Sequence, residues 1–258
     1  MIEKFKKNFL HNRNLKQTMF KNVFWLSISQ ISRFLRIITL LYAARILGAS
    51  EYGTFSYILG MVGLFSIFAD MGISPLLTRD AAGEPQRQKE YFATSFWIKI
   101  FLVALTSTIF FLFAPLFTKG QTAIYLIPLA TFLIVFDNIR DFIVAYLRGL
   151  EKMERETLIV TTLNITLALF GLITLLYLPT AKDFFFAYVM SSVFATAVAL
   201  IIARGAIFHT PSGFRKKIAI EIFKTGWPIA LSGTFGVLLL NIDIFMLGLW
   251  STTAEIGL

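Results

Sequence analysis

Residues 20–57 read FKNVFWLSISQISRFLRIITLLYAARILGASEYGTFSY. From Val23 to Ala44 this stretch is apolar and long enough to cross a bilayer, yet Ser32-Arg33 and Arg36 stand near its middle. An arginine at the centre of a spanning helix costs roughly 2.5–3.5 kcal/mol and sits about 15 Å from either end, too deep to snorkel easily. Arg33 and Arg36 are one turn apart and share a side of the helix. A wet, cationic surface able to hold an anion is the cheapest arrangement for such a pair. The other reading gives each arginine an acidic partner on a neighbouring helix, and the residues alone leave both open. A short turn-rich joint, residues 43–53, then leads into the next apolar run.

The whole chain has the same character. It is 57% hydrophobic and 15% charged, with a mean hydropathy of +0.73, whereas a soluble domain carries about 25% charged residues. This predicts an all-α integral membrane protein. With no cysteine, disulfide frameworks, thiolate metal sites and cysteine nucleophiles are excluded. The net charge of +9 would point to nucleic acid in a soluble protein.

Residues 1–21 form a basic tail expected in the cytoplasm, and crossings follow over 23–44, 52–73, 93–117, 123–147, 158–178 and 184–203. Residues 22–204 thus make a six-helix bundle. Residues 205–225 make a basic cytoplasmic linker whose Ile218, Ile222 and Phe223 suit a short helix lying on the membrane surface. Residues 226–258 hold a further crossing that starts near Trp227-Pro228. Of the 24 basic residues, 17 fall in segments assigned inside and only Arg45, Lys119 and Lys182 outside. Membrane topology therefore accounts for the basic charge, and nucleic acid loses its support as a partner.

Other charges lie at membrane depth. Arg140 stands between Asp137 and Asp141 on one helix, a cluster that reads as a locally neutralised structural group or a gate. Lys99, two turns inside its helix, reads as snorkelling to the interface. Asp70 and Asp243 are candidates either for a coupling cation, H+ or Na+, or for partners of the arginines. Pro128 and Pro228 read as hinges or as tolerated kinks. An enzyme finds little material here. His11 and His209 lie in basic segments, no metal-ligand spacing occurs, no glycine-rich phosphate loop follows a strand, and no cofactor is expected.

The chain also repeats itself. Phe20-Lys21 precedes an early tryptophan (Trp25), a Leu47-Gly48 and Glu51-Tyr52-Gly53; Phe223-Lys224 precedes Trp227, Leu247-Gly248 and Glu255-Ile256-Gly257 at nearly the same spacing. The offset spans six crossings, so residues 226–258 read as the first helix of a second, repeat-related bundle within a protein nearly twice as long.

The segments Ala44-Arg45-Ile46-Leu47-Gly48-Ala49-Ser50-Glu51-Tyr52-Gly53, Asp70-Met71-Gly72-Ile73, Leu77-Thr78-Arg79-Asp80 and Leu147-Arg148-Gly149-Leu150-Glu151-Lys152-Met153 together resemble Wzx-type polysaccharide-biosynthesis flippases. Those proteins belong to the multidrug/oligosaccharidyl-lipid/polysaccharide exporter superfamily. The resemblance implies two six-helix bundles around a central cavity and transfer of a polyprenyl-diphosphate-linked oligosaccharide from the inner to the outer leaflet of the cytoplasmic membrane. It also implies no enzymatic activity and polysaccharide assembly proteins as partners. Related lipid II flippases share a Ser-Arg followed at the same distance by the arginine of an Ala-Arg-x-x-Gly-Ala joint, as Arg33 and Arg45 stand here, and their first arginine faces the diphosphate. Where they carry a second arginine this chain has Thr39, with Arg36 one turn nearer, which argues against lipid II as cargo. On the same fold an organic-cation antiporter is the nearer rival, although a cationic cavity would repel such cargo. A membrane-embedded polymerase or ligase would need large outer loops, and those expected here are tiny.

Overall fold

The computed structural model describes residues 15–83, 88–118, 121–207 and 214–250, and its elements are all α-helices: α1 (Leu15–Asp70), α2 (Ile73–Gly83), α3 (Gln88–Phe117), α4 (Gln121–Gly149), α5 (Met153–Tyr177), α6 (Ala181–Ile207) and α7 (Lys216–Trp250). Five of them, α1 and α3 to α6, are long and apolar enough to cross a membrane. The chain is a multi-pass membrane protein.

A straight α1 of 56 residues would measure about 84 Å, far more than the roughly 30 Å of hydrocarbon in a bilayer. It breaks at Gly48 (φ 72°, ψ 172°), where the missing Cβ lets the backbone leave the helical region. The joint expected over 43–53 thus contracts to one residue.

Partners show that the direction reverses there. Lys21 pairs with Glu154 at the start of α5, and the first limb then climbs beside α5 in register. Thr157 donates to the Trp25 carbonyl at 2.8 Å, and Asn164 donates to Ser32 Oγ at 2.8 Å. A Cβ on Gly171 would lie 3.0 Å from the Thr39 methyl. Trp25, Ser32 and Thr39 repeat every seven residues, as do their partners, which is the seam of a parallel coiled pair.

The second limb descends from the far end. Glu51 accepts the Ala181 backbone N–H at the start of α6, and Tyr57 donates to the Phe117 carbonyl at the end of α3. Asp70 ends well inside the bundle, level with Lys99.

The turn at Met71 (φ 43°) and Gly72 (φ 76°) then starts α2, in a stretch that the sequence reading leaves as loop. Asp70 caps this helix through the Ser74 hydroxyl (2.5 Å) and backbone N–H (3.4 Å). Helix α7 crosses close by: a Cβ on Gly72 would meet the Gly226 carbonyl oxygen at 2.7 Å. Residues 216–224 are the first turns of α7 rather than a separate helix on the membrane surface, because Ile218 and Ile222 are buried against the bundle.

Two apolar cores result. One gathers Phe55, Phe110, Leu126, Phe184 and Phe185 toward the Gly48 end. The other gathers Phe92, Phe142, Ile159, Ala199 and Ile218 toward the opposite end. Between them α4, α5 and α6 turn Asn138, Arg140, Asn164, Ser191 and Ser192 inward, so a belt of buried polar groups divides the cores. Large apolar side chains such as Phe101, Leu112 and Leu116 point outward, as lipid requires.

Candidate functional site

A chamber of about 1020 Å³ opens onto this polar belt between both limbs of α1, α2, α4, α6 and residues 228–233 of α7. Its wall includes Arg36, Ser66, Asp70, Ser74, Asp137, Asn138, Asp141, Tyr188 and Ser232.

Arg36 enters the chamber beside Tyr188. Its guanidinium donates to the Tyr188 hydroxyl, and its Cζ lies 5.3 Å from the ring centroid, a cation–π contact. Among the described residues no carboxylate forms an ion pair with Arg36 or with Arg33. The buried tyrosine aims the guanidinium without neutralising it, which leaves N–H donors for an anion.

Arg33 is exposed and does not line the chamber. The reason is the seam: with Ser32 held against Asn164, residue 36 lies about 40° around the helix from Ser32 and residue 33 about 100°. The side shared by the two arginines is therefore divided between the chamber and the outer surface of the first limb.

Arg140 is clasped by Asp137 Oδ1 at 2.5 Å and Asp141 Oδ1 at 2.9 Å. Asp137 also accepts from the Ser192 hydroxyl at 2.5 Å. This cluster ties α4 to α6, with its two carboxylates toward the chamber and its arginine behind them.

Lys99 does not snorkel. It is 1% exposed, with Nζ 2.6 Å from Asp70 Oδ1 and 3.0 Å from Asn138 Oδ1. Asn138 in turn donates to Ser66 Oγ at 3.2 Å. Lys99 lies about three turns into α3 rather than two, because the helix begins at Gln88, earlier than its apolar run. Asp70 thus partners a lysine, not an arginine. Asp243 belongs to α7, and its side chain lies outside the described residues.

The chamber wall is consequently balanced rather than cationic. Three carboxylates, Asp70, Asp137 and Asp141, meet Arg36 in the wall and Lys99 and Arg140 directly behind it. Sequence reasoning missed Tyr188, Ser192, Asn138 and Ser66 as members of this site. Polar side chains recurring inside otherwise apolar runs were the available signal.

The family described as polysaccharide biosynthesis protein matches residues 19–258, nearly the whole chain. No curated protein and no solved structure matches it. A long multi-pass helical bundle with a polar chamber at membrane depth agrees with that match, and the chain belongs to the polysaccharide biosynthesis protein family.

Proposed function

We propose that the protein is a flippase, not an enzyme, that moves a polyprenyl-diphosphate-linked oligosaccharide across the cytoplasmic membrane by alternating access. The basic end of the bundle faces the cytoplasm, by the positive-inside rule. Each limb of α1 makes one crossing, α3 to α6 complete six, and α7 begins the second bundle, against which the first rocks.

The observation that carries this reading is Arg36, a guanidinium at membrane depth that opens on a chamber and is held by a tyrosine instead of a carboxylate. Guanidinium binds phosphate oxygens in a directional, bidentate way, and Arg33 on the same helix supplies a second positive charge on the approach. The sugar occupies the hydrated space. H+ or Na+ coupling falls to Asp70 or Asp243, Asp70 exchanging Lys99 for the ion, and polysaccharide assembly proteins act before and after transfer. The three carboxylates of the wall favour a second reading, an organic-cation antiporter.

Vesicles holding full-length protein decide between these. Arg36→Ala is expected to abolish translocation of a lipid-linked oligosaccharide, and Arg33→Ala to slow it, at unchanged expression. Wild-type rates in both variants, or robust uptake of organic cations, would overturn the proposal.

A further inference from the structure

A second cavity, of about 310 Å³, lies at the basic end of the bundle, where α3 and α5 begin and α4 and α6 finish. It shares no lining residue with the chamber. Lys89, Lys152 and Arg155 line it, and among the described residues none of the three is in an ion pair. Three nearby acids are committed elsewhere, Glu156 to Arg148 at 2.5 Å, Glu154 to Lys21 at 3.4 Å and Glu90 to Arg215 at 3.0 Å, and Glu151, next to Lys152, is exposed and does not line the cavity. Lys89 and Arg155 are exposed and Lys152 is half-buried, so three positive charges border one cavity and favour an anion there.

The rest of the wall is apolar. Phe92 and Tyr146 pack with ring centroids 4.3 Å apart and are themselves buried, and half-buried Leu150, Ile202 and Ala206 form the apolar surface still open. A free anion in water would leave that surface uncovered. A ligand whose phosphate meets the cations and whose glycerol and first acyl carbons cover Leu150, Ile202 and Ala206 satisfies both parts. Cationic pockets between spanning helices at a membrane boundary are suited to such headgroups.

We infer that the cavity bordered by Lys89, Lys152 and Arg155 binds the headgroup of an anionic phospholipid from the leaflet at the basic end of the bundle. The inference needs only membrane insertion and is independent of what the chamber transports.

Native mass spectrometry of the detergent-purified protein mixed with phosphatidylglycerol or phosphatidylcholine tests it. One phosphatidylglycerol should bind at least about tenfold more tightly than phosphatidylcholine, given three converging cations. The preference should vanish in Lys89→Gln/Lys152→Gln/Arg155→Gln and persist in Arg204→Gln/Lys216→Gln/Lys217→Gln, which removes equal charge from exposed positions at the same end. Gly205→Phe is the second variant: Gly205 lines the cavity, and a Cβ there meets no atom within 4 Å, so the ring fills the space while the cations stay. Its phosphatidylglycerol binding should fall as well. Equal losses in the two glutamine triples would reduce the effect to general surface charge and overturn the site. Unchanged binding in Gly205→Phe together with displacement by millimolar inorganic phosphate would overturn the lipid.

Discussion

Lys99 shows most directly how this protein keeps charge inside a membrane. Its ammonium is buried, and Asp70 and Asn138 supply its acceptors, so the pair is stable only as a pair. Lys99→Met leaves Asp70 without its cation, and removing one partner of a buried pair costs roughly 3–5 kcal/mol. The loss should fall toward the lower figure because Asp70 reaches the chamber. Thermal unfolding in detergent should show the single variant strongly destabilised and Lys99→Met/Asp70→Asn largely restored; additive losses would mean that the two groups do not act together. At this scale the sequence was only partly legible. Local neutralisation of Arg140 can be read from Asp137 and Asp141 because all three share one helix. The Lys99–Asp70 contact cannot, since its register depends on where α1 breaks and on how α3 packs.

At the scale of elements, the joint at Gly48 and the seam between the first limb and α5 set where every site residue points. Helix existence was legible throughout, because runs of about twenty apolar residues leave few alternatives. The boundaries were not: α2 occupies an expected loop, and residues 216–224 run unbroken into α7. Hydropathy marks what lipid will accept, and it carries no information about polar turns that continue a helix into water. The seam makes a specific demand at Gly171, where a side chain would meet Thr39 at 3.0 Å and Phe184 at 3.1 Å. Gly171→Leu should destabilise the protein by about 1–3 kcal/mol through overpacking. Because Arg36 is placed by the same seam, the transport defect should exceed what the drop in folded protein explains, as a flux assay normalised to monodisperse protein would show. A wild-type melting temperature in that variant would contradict the in-register packing.

For the molecule as a whole, two apolar cores are separated by a polar belt, and the belt opens on one chamber at membrane depth. That arrangement suits a carrier, since a charged headgroup needs water and opposite charge in mid-membrane while the outer surface stays apolar. In the proposed transport, Arg36 is the point at which this architecture meets its cargo. The chain contains no cysteine, so a single introduced thiol reports without background. Gly63 lines the chamber, and a Cβ there meets no atom within 4 Å. The deciding measurement is the rate at which a membrane-impermeant thiol reagent modifies Gly63→Cys with and without a polyprenyl diphosphate. The diphosphate should slow labelling on the order of tenfold when Arg36 is present and leave it unchanged in Gly63→Cys/Arg36→Ala, because the guanidinium holds the phosphates there. Equal protection in both backgrounds, or a thiol that never reacts, would contradict a hydrated chamber in which Arg36 receives the headgroup.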